Sequence, residues 1–155
     1  MIDDRLLIMR FRRGRPDALR QIYDKYKVEL LRLAVVLVGN VHTAEDIVHD
    51  VFVGFAQSAD RIKPTGSLRS YLITGVINRV RNHRRDGRRH GETALDHAEL
   101  CVSPERGPQQ WAVLSEELML LSEALQRLPY EQREVICFHV ETGMPLRRIA
   151  AVQNV

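Results

Sequence analysis

The sequence predicts an all-α protein built from two blocks of helices. Along most of the 155-residue chain, apolar residues recur at steps of three and four, which is the spacing of one helix face. No segment shows the strict apolar–polar alternation that a half-buried strand needs. Nine glycines and six prolines are also too few for a protein rich in β-turns. These observations exclude a sheet-based core.

The first two predicted helices are separated by a short turn. One runs from Pro16 to Val38, because proline suits a helix start and the following Gly39-Asn40 pair suits a helix end. The next is expected to open at Thr43, whose hydroxyl can cap the helix while Asp46 lies three residues on. Its apolar stripe should face the core and consists of Ile47, Val48, Val51, Phe52 and Phe55.

A third helix is predicted after a loop at residues 61–67. Pro64 and Gly66 require a loop there, and Ser67 can cap the helix that follows. Its expected apolar side consists of Leu68, Tyr71, Leu72, Val76 and Val80.

The loop and the third helix carry an unusual charge. Between Arg61 and Gly91 there are nine basic residues and one acid, although the whole chain has a formal net charge of only +3. A chain divided in this way usually binds a polyanion with its basic segment, and arginine suits phosphates and base edges. A merely solvated basic helix end is the alternative interpretation.

A linker and a second helical block follow. Periodicity is lost from about residue 86 to residue 110, where glycines and prolines indicate a linker. A leucine stripe at positions 114, 118, 121, 125 and 128 then predicts a helix that Pro129 ends. Further helices are expected from Glu131 to Val140 and from Leu146 to Val152. The predicted organisation is a domain over 1–90, a linker over 91–110 and a smaller domain over 111–155.

Residues with catalytic or metal-binding potential are few. The acids at 45, 46 and 50 share a helix face with no base, nucleophile or glycine-rich loop beside them, so a solvated or protein-binding face is favoured. His97 and Cys101 have a zinc-like spacing, but only one cysteine is in reach. A metal-dependent helical enzyme is therefore a remote alternative, and we expect no enzyme, no metal and no cofactor.

The cysteine content and hydropathy indicate a compartment. The two cysteines form no CxxC pair, which fits a reducing cytosol. The longest apolar run is far shorter than the roughly 20 residues that span a bilayer. We therefore expect a cytoplasmic protein without a membrane segment.

The last residues are typical of the first helix and turn of a helix-turn-helix motif. An Ile149-Ala150 pair lies on a short helix, and Asn154 can adopt the left-handed conformation of such a turn. The recognition helix that would enter the major groove is not among the 155 residues. We therefore expect an incomplete motif, truncated in the chain or in its gene.

Three motifs in the right order resemble those of bacterial RNA polymerase sigma factors, in particular the extracytoplasmic-function (ECF) group. Ala44–Phe52 is similar to the AED-x-x-Q-[ED]-x-F helix that binds core polymerase. Ser67–Leu72, leading to Asn78, is similar to the S-x-x-x-W-L…N promoter-reading stretch. Ala124–Val135 is similar to the AL-x-x-LP-x-x-[QR]-RE-V opening of the second DNA-binding domain. The resemblance covers nearly the whole chain from Pro16 onward.

This resemblance implies a sigma region-two domain, a linker, and a region-four domain without its recognition helix. It implies that one set of residues docks on the β′ clamp of core RNA polymerase: Glu45, Asp46, His49, Asp50 and Phe52. A second set would recognise and melt the promoter −10 element, as duplex and as single strand: Arg61, Lys63, Thr65, Ser67, Arg69, Tyr71, Asn78, Arg79, Asn82, Arg84, Arg85 and Arg88. An anti-sigma factor is a further implied partner.

The chain departs from the family pattern at three positions. His49 replaces the usual Gln, Tyr71 replaces the usual Trp, and Arg148 replaces the Glu that commonly precedes the Ile-Ala pair. A histidine keeps a polar contact but can add pH sensitivity, and a tyrosine keeps a smaller aromatic surface. The alternative function is a module that binds polymerase or an anti-sigma protein without directing initiation.

Overall fold

The computed structural model describes residues 3–58, 67–89 and 116–153. Within these ranges it contains helices and no strand, so the all-α prediction is confirmed. The helices are α1 (Asp4–Arg12), α2 (Pro16–Val38), α3 (Val41–Gln57), α4 (Leu68–Arg89), α5 (Glu116–Gln126), α6 (Tyr130–Thr142) and α7 (Leu146–Gln153).

The long helix α2 forms the centre of the fold. Helices α1, α3 and α4 pack along it, and α5 and α6 also contact it. The predicted stripe of α3 is buried throughout, from Ile47 to Phe55, because it faces both α2 and α4. At Gly75 of α4 an added Cβ would lie 3.2 Å from the Val51 side chain, so α3 and α4 approach each other closely there.

The turn between α2 and α3 differs from the prediction. Gly39 adopts a left-handed conformation (φ 73°) and ends α2, as its sequence position indicated. The N-cap of α3 is Asn40, whose Oδ1 accepts a hydrogen bond from the Thr43 N–H at 3.0 Å. The prediction that Thr43 is the N-cap was therefore wrong, because the extended backbone at Asn40 lets the helix begin at Val41.

The start of α4 matches the prediction. The Ser67 Oγ accepts a hydrogen bond from the Ser70 N–H at 3.1 Å, which is the expected N-cap contact. The helix continues to Arg89, beyond the position where apolar periodicity ends. The predicted linker over 91–110 lies outside the described residues.

Helix α1 was not predicted from the sequence. Leu7 and Ile8 are its buried residues, and Phe11 stacks on Phe55 with ring centroids 5.6 Å apart. The Asp4 carboxylate accepts a hydrogen bond from the Tyr26 hydroxyl at 2.6 Å, which ties α1 to α2. A nine-residue helix interrupted by arginines presents too little periodicity to be detected.

Helix α5 keeps Leu118 and Leu125 of the predicted stripe against the core, but not Leu121. Leu121 was assigned to the apolar stripe, but 51 % of it is exposed. Ser122 is fully buried instead, and its Oγ donates to the Val35 carbonyl at 3.3 Å. The helix is rotated so that polar groups reach the C-terminal end of α2, while Leu118 and Leu125 pack at the core edge.

The last two helices follow their predicted positions. Helix α6 ends at Gly143, which is left-handed (φ 64°), and α7 follows after Pro145. Ile149 of α7 is buried, and so is Cys137 of α6, as expected for a small apolar residue. None of the helices in the described ranges has the length and hydropathy to cross a membrane.

Candidate nucleic-acid interface

The outer face of α3 is acidic and open. Asp46, His49 and Asp50 are exposed, and Glu45 is half-buried beside them. Phe52 points inward: it is 6 % exposed, and its ring packs edge-on against Tyr23 at 4.8 Å between centroids. Phe52 therefore supports α3 from the core and does not share the surface of the other four predicted residues.

The neighbouring face of α4 exposes amides and guanidinium groups. Asn78, Asn82 and Arg85 are exposed and lie four and three positions apart, which places them on one helix face. The Arg85 Nη2 donates to the Asn82 Oδ1 at 3.3 Å. This spacing leaves amide and guanidinium donors pointing away from the core, where a base edge or phosphate can reach them.

The acidic and basic faces meet in an open groove between α3 and α4. The groove has a volume of about 420 Å³, and Asp46 and Asp50 line one side while Asn82 and Arg85 line the other. Arg79 of α4 reaches across the groove to α3, where its Nη1 lies 3.4 Å from the Asp50 Oδ2. In the described part of the chain, no three His, Cys, Asp or Glu side chains are grouped to hold a metal ion.

The start of α4 offers an aromatic surface. Tyr71 is 43 % exposed, and its ring lies edge-on to Phe55 at 6.1 Å between centroids. One side of the ring is thus supported by the core while the other is free for stacking. Arg61, Lys63 and Thr65 lie outside the described residues, as does the side chain of Arg88.

Two arginines that were predicted to contact DNA instead contact other side chains of the same protein. Arg69 pairs with Glu29 of α2, and its Nη2 donates to the Glu141 Oε2 of α6 at 2.9 Å. The Arg84 guanidinium lies 4.0 Å from the centre of the Tyr130 ring, a cation–π contact. Both therefore face the second helical block in this structure.

Sequence reasoning missed two further residues of this contact. Arg81, on the same flank of α4, pairs with Glu134 of α6, which is only 3 % exposed. Glu134 belongs to the RE pair of the third motif, but a motif does not show which cation a glutamate will meet. That pairing joins residues 53 positions apart and needs the tertiary structure.

Arg133, the other member of that RE pair, attaches the second block to α2. It is 5 % exposed, and its Nη1 donates to the Leu37 carbonyl at 2.7 Å. Gln126 acts beside it, with its Nε2 donating to the Val36 carbonyl at 2.8 Å. Burial lowers the pKa of Arg133, although an arginine remains charged.

Comparison with known proteins finds similarity to one family. The sigma-70 region 2 family matches residues 22–90, a range that runs from α2 to the end of α4. The ECF RNA polymerase sigma factor BldN of Streptomyces coelicolor is 25 % identical over 149 residues, which cover 96 % of this chain and 56 % of BldN. The chain is thus similar to ECF sigma factors, and the region 2 match covers 69 of its 155 residues.

Other relatives carry the same description. The ECF sigma factor ShbA of Streptomyces griseus is 29 % identical over 107 residues, which cover 66 % of this chain and 56 % of ShbA. The ECF sigma factor SigD of Mycobacterium tuberculosis is 26 % identical over 144 residues, covering 89 % of this chain and 68 % of SigD. The chain thus spans a little over half the length of BldN and ShbA.

The region 2 match contains both faces of the candidate site. The acidic surface of α3 and the exposed amides of α4 lie within residues 22–90, whereas α5, α6 and α7 lie beyond it. The contacts of Arg69, Arg81 and Arg84 therefore join the matched region of the chain to helices outside it.

Proposed function

We propose that the chain is an ECF sigma factor, which binds core RNA polymerase and directs recognition and melting of a promoter −10 element. It performs no chemistry of its own, because the polymerase synthesises the RNA, and it acts in the cytoplasm. The observation that carries the proposal is that two adjacent helices expose surfaces of different chemistry. Helix α3 exposes carboxylates, and α4 exposes amides and guanidinium groups.

The acidic face of α3 is the proposed polymerase-binding surface. Asp46, His49 and Asp50 are exposed side by side, and Glu45 borders them, so they can meet a cationic surface such as the β′ clamp. Phe52 contributes indirectly, because its buried ring holds the helix against α2. A salt-sensitive association rate is the expected signature of such a surface.

The proposed DNA interface has a reading part and an anchoring part. Asn78 and Asn82 can donate to and accept from base edges, whereas Arg79 and Arg85 can neutralise phosphates. The exposed half of Tyr71 can stack on an unpaired base. The sigma resemblance extends the interface to the loop and the helix end, where the assigned residues are Arg61, Lys63, Thr65, Ser67 and Arg88.

The domain division accompanies this proposal. Residues 1–90 would form the region-two domain, 91–110 a linker, and 111–155 the helices of a region-four domain. The docking of α5 and α6 on α2 supports a second block with its own surfaces. An anti-sigma protein is the proposed regulatory partner, and the acidic face of α3 is a surface it could compete for.

Transcription start mapping tests the proposal. Core polymerase from the organism that encodes the chain is combined with the unchanged protein and with an Asp46→Asn, His49→Ala double variant. Specific starts that depend on the protein and weaken in the variant would support the function. Binding to core polymerase without specific starts would instead favour the alternative interaction module. No binding to core polymerase would refute both.

Two further variants separate reading from anchoring. Asn78→Ala should change the preferred promoter sequence, because an amide at a base edge carries sequence information. Arg85→Ala should weaken binding to all sequences and reduce the log–log salt slope by about 0.9 for one lost duplex phosphate contact. An identical uniform loss in both variants would contradict the assignment.

A further inference from the structure

We propose that four arginines at the turn between α1 and α2 form a further DNA-binding site, which holds phosphates of the single strand that continues past the Tyr71 ring. The inference rests on the proposed function and deepens it, because it adds an anchoring surface to the DNA interface. The four residues, called the turn cluster, lie close together in the sequence and before the region 2 match: Arg10, Arg12, Arg13 and Arg15.

The turn cluster carries positive charge that the protein itself does not neutralise. All four side chains are exposed. Within the residues that the structure describes, no ion pair is found for Arg10, Arg13 or Arg15. Asp17 is the one acid within five positions of the cluster. By contrast, Arg79 of the proposed DNA interface already pairs with a carboxylate of α3. The turn cluster is therefore available to an external anion.

Helix capping explains only part of this charge. Arg10 and Arg12 lie in the last turn of α1, where cations suit the negative end of the helix dipole. Arg15 lies at the opposite pole, because it is the N-cap of α2, and its side chain makes no capping hydrogen bond there. A cation at the positive end of a helix is unfavourable, and such a departure from local rules is expected at functional sites. The position of Arg15 therefore favours a binding role.

The backbone of the turn holds the cluster in a fixed place. The Gly14 N–H donates to the Phe11 carbonyl at 2.9 Å, and the Arg15 N–H donates to the Arg10 carbonyl at 3.2 Å. Gly14 is left-handed, with φ 76°, and lets the chain reverse between the two helices. Buried Leu7 anchors α1 on the core. A rigid support of this kind lowers the entropy cost of binding an anion.

The turn cluster adjoins the aromatic surface at the start of α4. Phe11 lies between Arg10 and Arg12, and its ring stacks on Phe55 at 5.6 Å between centroids. The Phe55 ring in turn lies 6.1 Å from the Tyr71 ring. Phosphates recur about every 3.4 Å along one strand of DNA. A strand with a base on Tyr71 can therefore bring phosphates to the turn cluster within a few nucleotides.

The chemistry of α1 favours a nucleic acid over a membrane surface. A helix that lies on a membrane exposes an apolar face beside its basic residues. Leu7 and Ile8 of α1 are instead buried, and Met9 is its exposed large apolar residue. Guanidinium groups bind phosphates through paired hydrogen bonds that do not depend on the base. We therefore expect a contact with the strand backbone that is independent of sequence.

The first arm of the test measures binding of the full chain to a single strand of about 12 nucleotides and random sequence, by fluorescence anisotropy over a range of salt concentrations. Arg13→Gln with Arg15→Gln removes two charges of the cluster, and Arg127→Gln with Arg147→Gln removes two exposed charges of the second block as the control. We expect the log–log salt slope of the first pair to fall by about 1.4, at about 0.7 per lost phosphate contact, and its affinity at about 0.1 M salt to fall about 25-fold. The control pair should keep the slope of the unchanged chain.

A conservative variant separates lost charge from lost folding. Arg13→Lys with Arg15→Lys keeps both charges, so its salt slope should stay that of the unchanged chain. Equal slopes for the two Gln pairs would overturn the proposal. Absence of single-strand binding by the unchanged chain would also overturn it, because the turn cluster is exposed without polymerase.

The second arm asks whether one strand reaches both Tyr71 and the turn cluster. Tyr71→Ala should lower the affinity about 5- to 150-fold, the range for one lost stacking contact. If one strand spans both places, one strand binds per chain, and the losses from Tyr71→Ala and from the Arg13 and Arg15 variant multiply. Two strands bound per chain, with each change removing one of them, would overturn the proposal.

Further readouts distinguish other partners and the two proposals. Core polymerase binding without DNA should be equal for both Gln pairs, and a selective loss on changing Arg13 and Arg15 would assign the cluster to the polymerase and overturn the proposal. Cluster-dependent binding to phosphatidylserine vesicles in place of the single strand would overturn it as well. If the Gln pairs bind the strand alike while promoter starts persist, the proposed function stands and this inference fails. If the slopes differ but no starts arise with core polymerase, the proposed function fails and the turn cluster remains a single-strand site.

Discussion

Replacing Arg133 with methionine should lower the free energy of unfolding by about 3 to 5 kcal/mol. Methionine retains much of the buried stem but removes every donor. Arg133 is 5 % exposed and reaches two helix ends at once. Its Nη1 donates to the Leu37 carbonyl of α2. Its Nε donates to the Leu125 carbonyl in the last turn of α5, and its Nη2 donates to the Leu128 carbonyl just after that helix.

The magnitude follows from what each carbonyl loses. The Leu37 carbonyl, 2.7 Å from Nη1, and the Leu128 carbonyl, 3.1 Å from Nη2, would lose their donor, at about 1 to 3 kcal/mol each. The Leu125 carbonyl loses less, because it also accepts from the Leu128 N–H at 3.0 Å. The last turn of α2 has no basic residue of its own, so losing the guanidinium charge there adds about 0.3 to 1 kcal/mol.

Urea unfolding followed by far-ultraviolet circular dichroism measures this loss. Arg133→Lys should recover only part of it, since one ammonium group cannot span carbonyls on two helices. Arg147→Met replaces an exposed arginine of α7 and should change stability by no more than about 0.5 kcal/mol. A loss below about 1 kcal/mol for Arg133→Met would refute the argument that this guanidinium caps both helices.

Three other changes test separate parts of the structure. Tyr130→Phe should be neutral or stabilise the fold by up to about 1 kcal/mol in urea unfolding, because the buried hydroxyl has no hydrogen-bond partner among the described residues; a loss above 1 kcal/mol would reveal a missed contact. Gly39→Ala should lower the free energy of unfolding by more than Gly143→Ala does. Both changes place an alanine in the left-handed region, which costs about 1 to 2 kcal/mol. Only at Gly39 would the new Cβ also lie 3.0 Å from the Gln126 side chain. Equal decreases in melting temperature for the two variants would show that the Gln126 side chain moves away from the new Cβ at no cost. Between pH values of about 8.5 and 11 the unfolded thiol of Cys137 ionises while the folded one stays protonated, so stability should fall by about 1.4 kcal/mol per pH unit as pH rises. Cys137→Ala should lack that slope, and parallel pH curves would contradict the raised thiol pKa.

Local signals were sufficient for most of the helices. The proline that starts α2, Gly39 and the Ser67 cap all act within about one turn of themselves, and the structure confirms each of them. Periodic apolar residues located the helices, although Tyr71 of α4 and Leu121 of α5 are exposed. The buried stripe of α3 and the burial of Cys137 followed from the same spacing. The order of three motifs led to the sigma resemblance, and the region 2 match over residues 22–90 and the similarity to BldN agree with it.

The errors occurred where one local signal competed with another. Asn40 and Thr43 are both good N-cap residues, and the backbone left by Gly39 selects Asn40. On α5, leucine spacing favoured Leu121, but the carbonyls at the end of α2 needed donors, so Ser122 is turned inward. Apolar periodicity does not report the hydrogen bonds that a neighbouring helix requires.

The amino-acid order thus determined which segments are helical, which faces are apolar and which basic segment is available to a polyanion. Only the tertiary structure decided which cations are exposed. Arg85 remains open, whereas Arg69, Arg81 and Arg84 are engaged by groups of α6 that lie 46 to 72 residues away. Helix formation depends on neighbours within a turn, but an ion pair depends on how whole helices dock, and that docking is set by buried polar contacts such as those of Arg133.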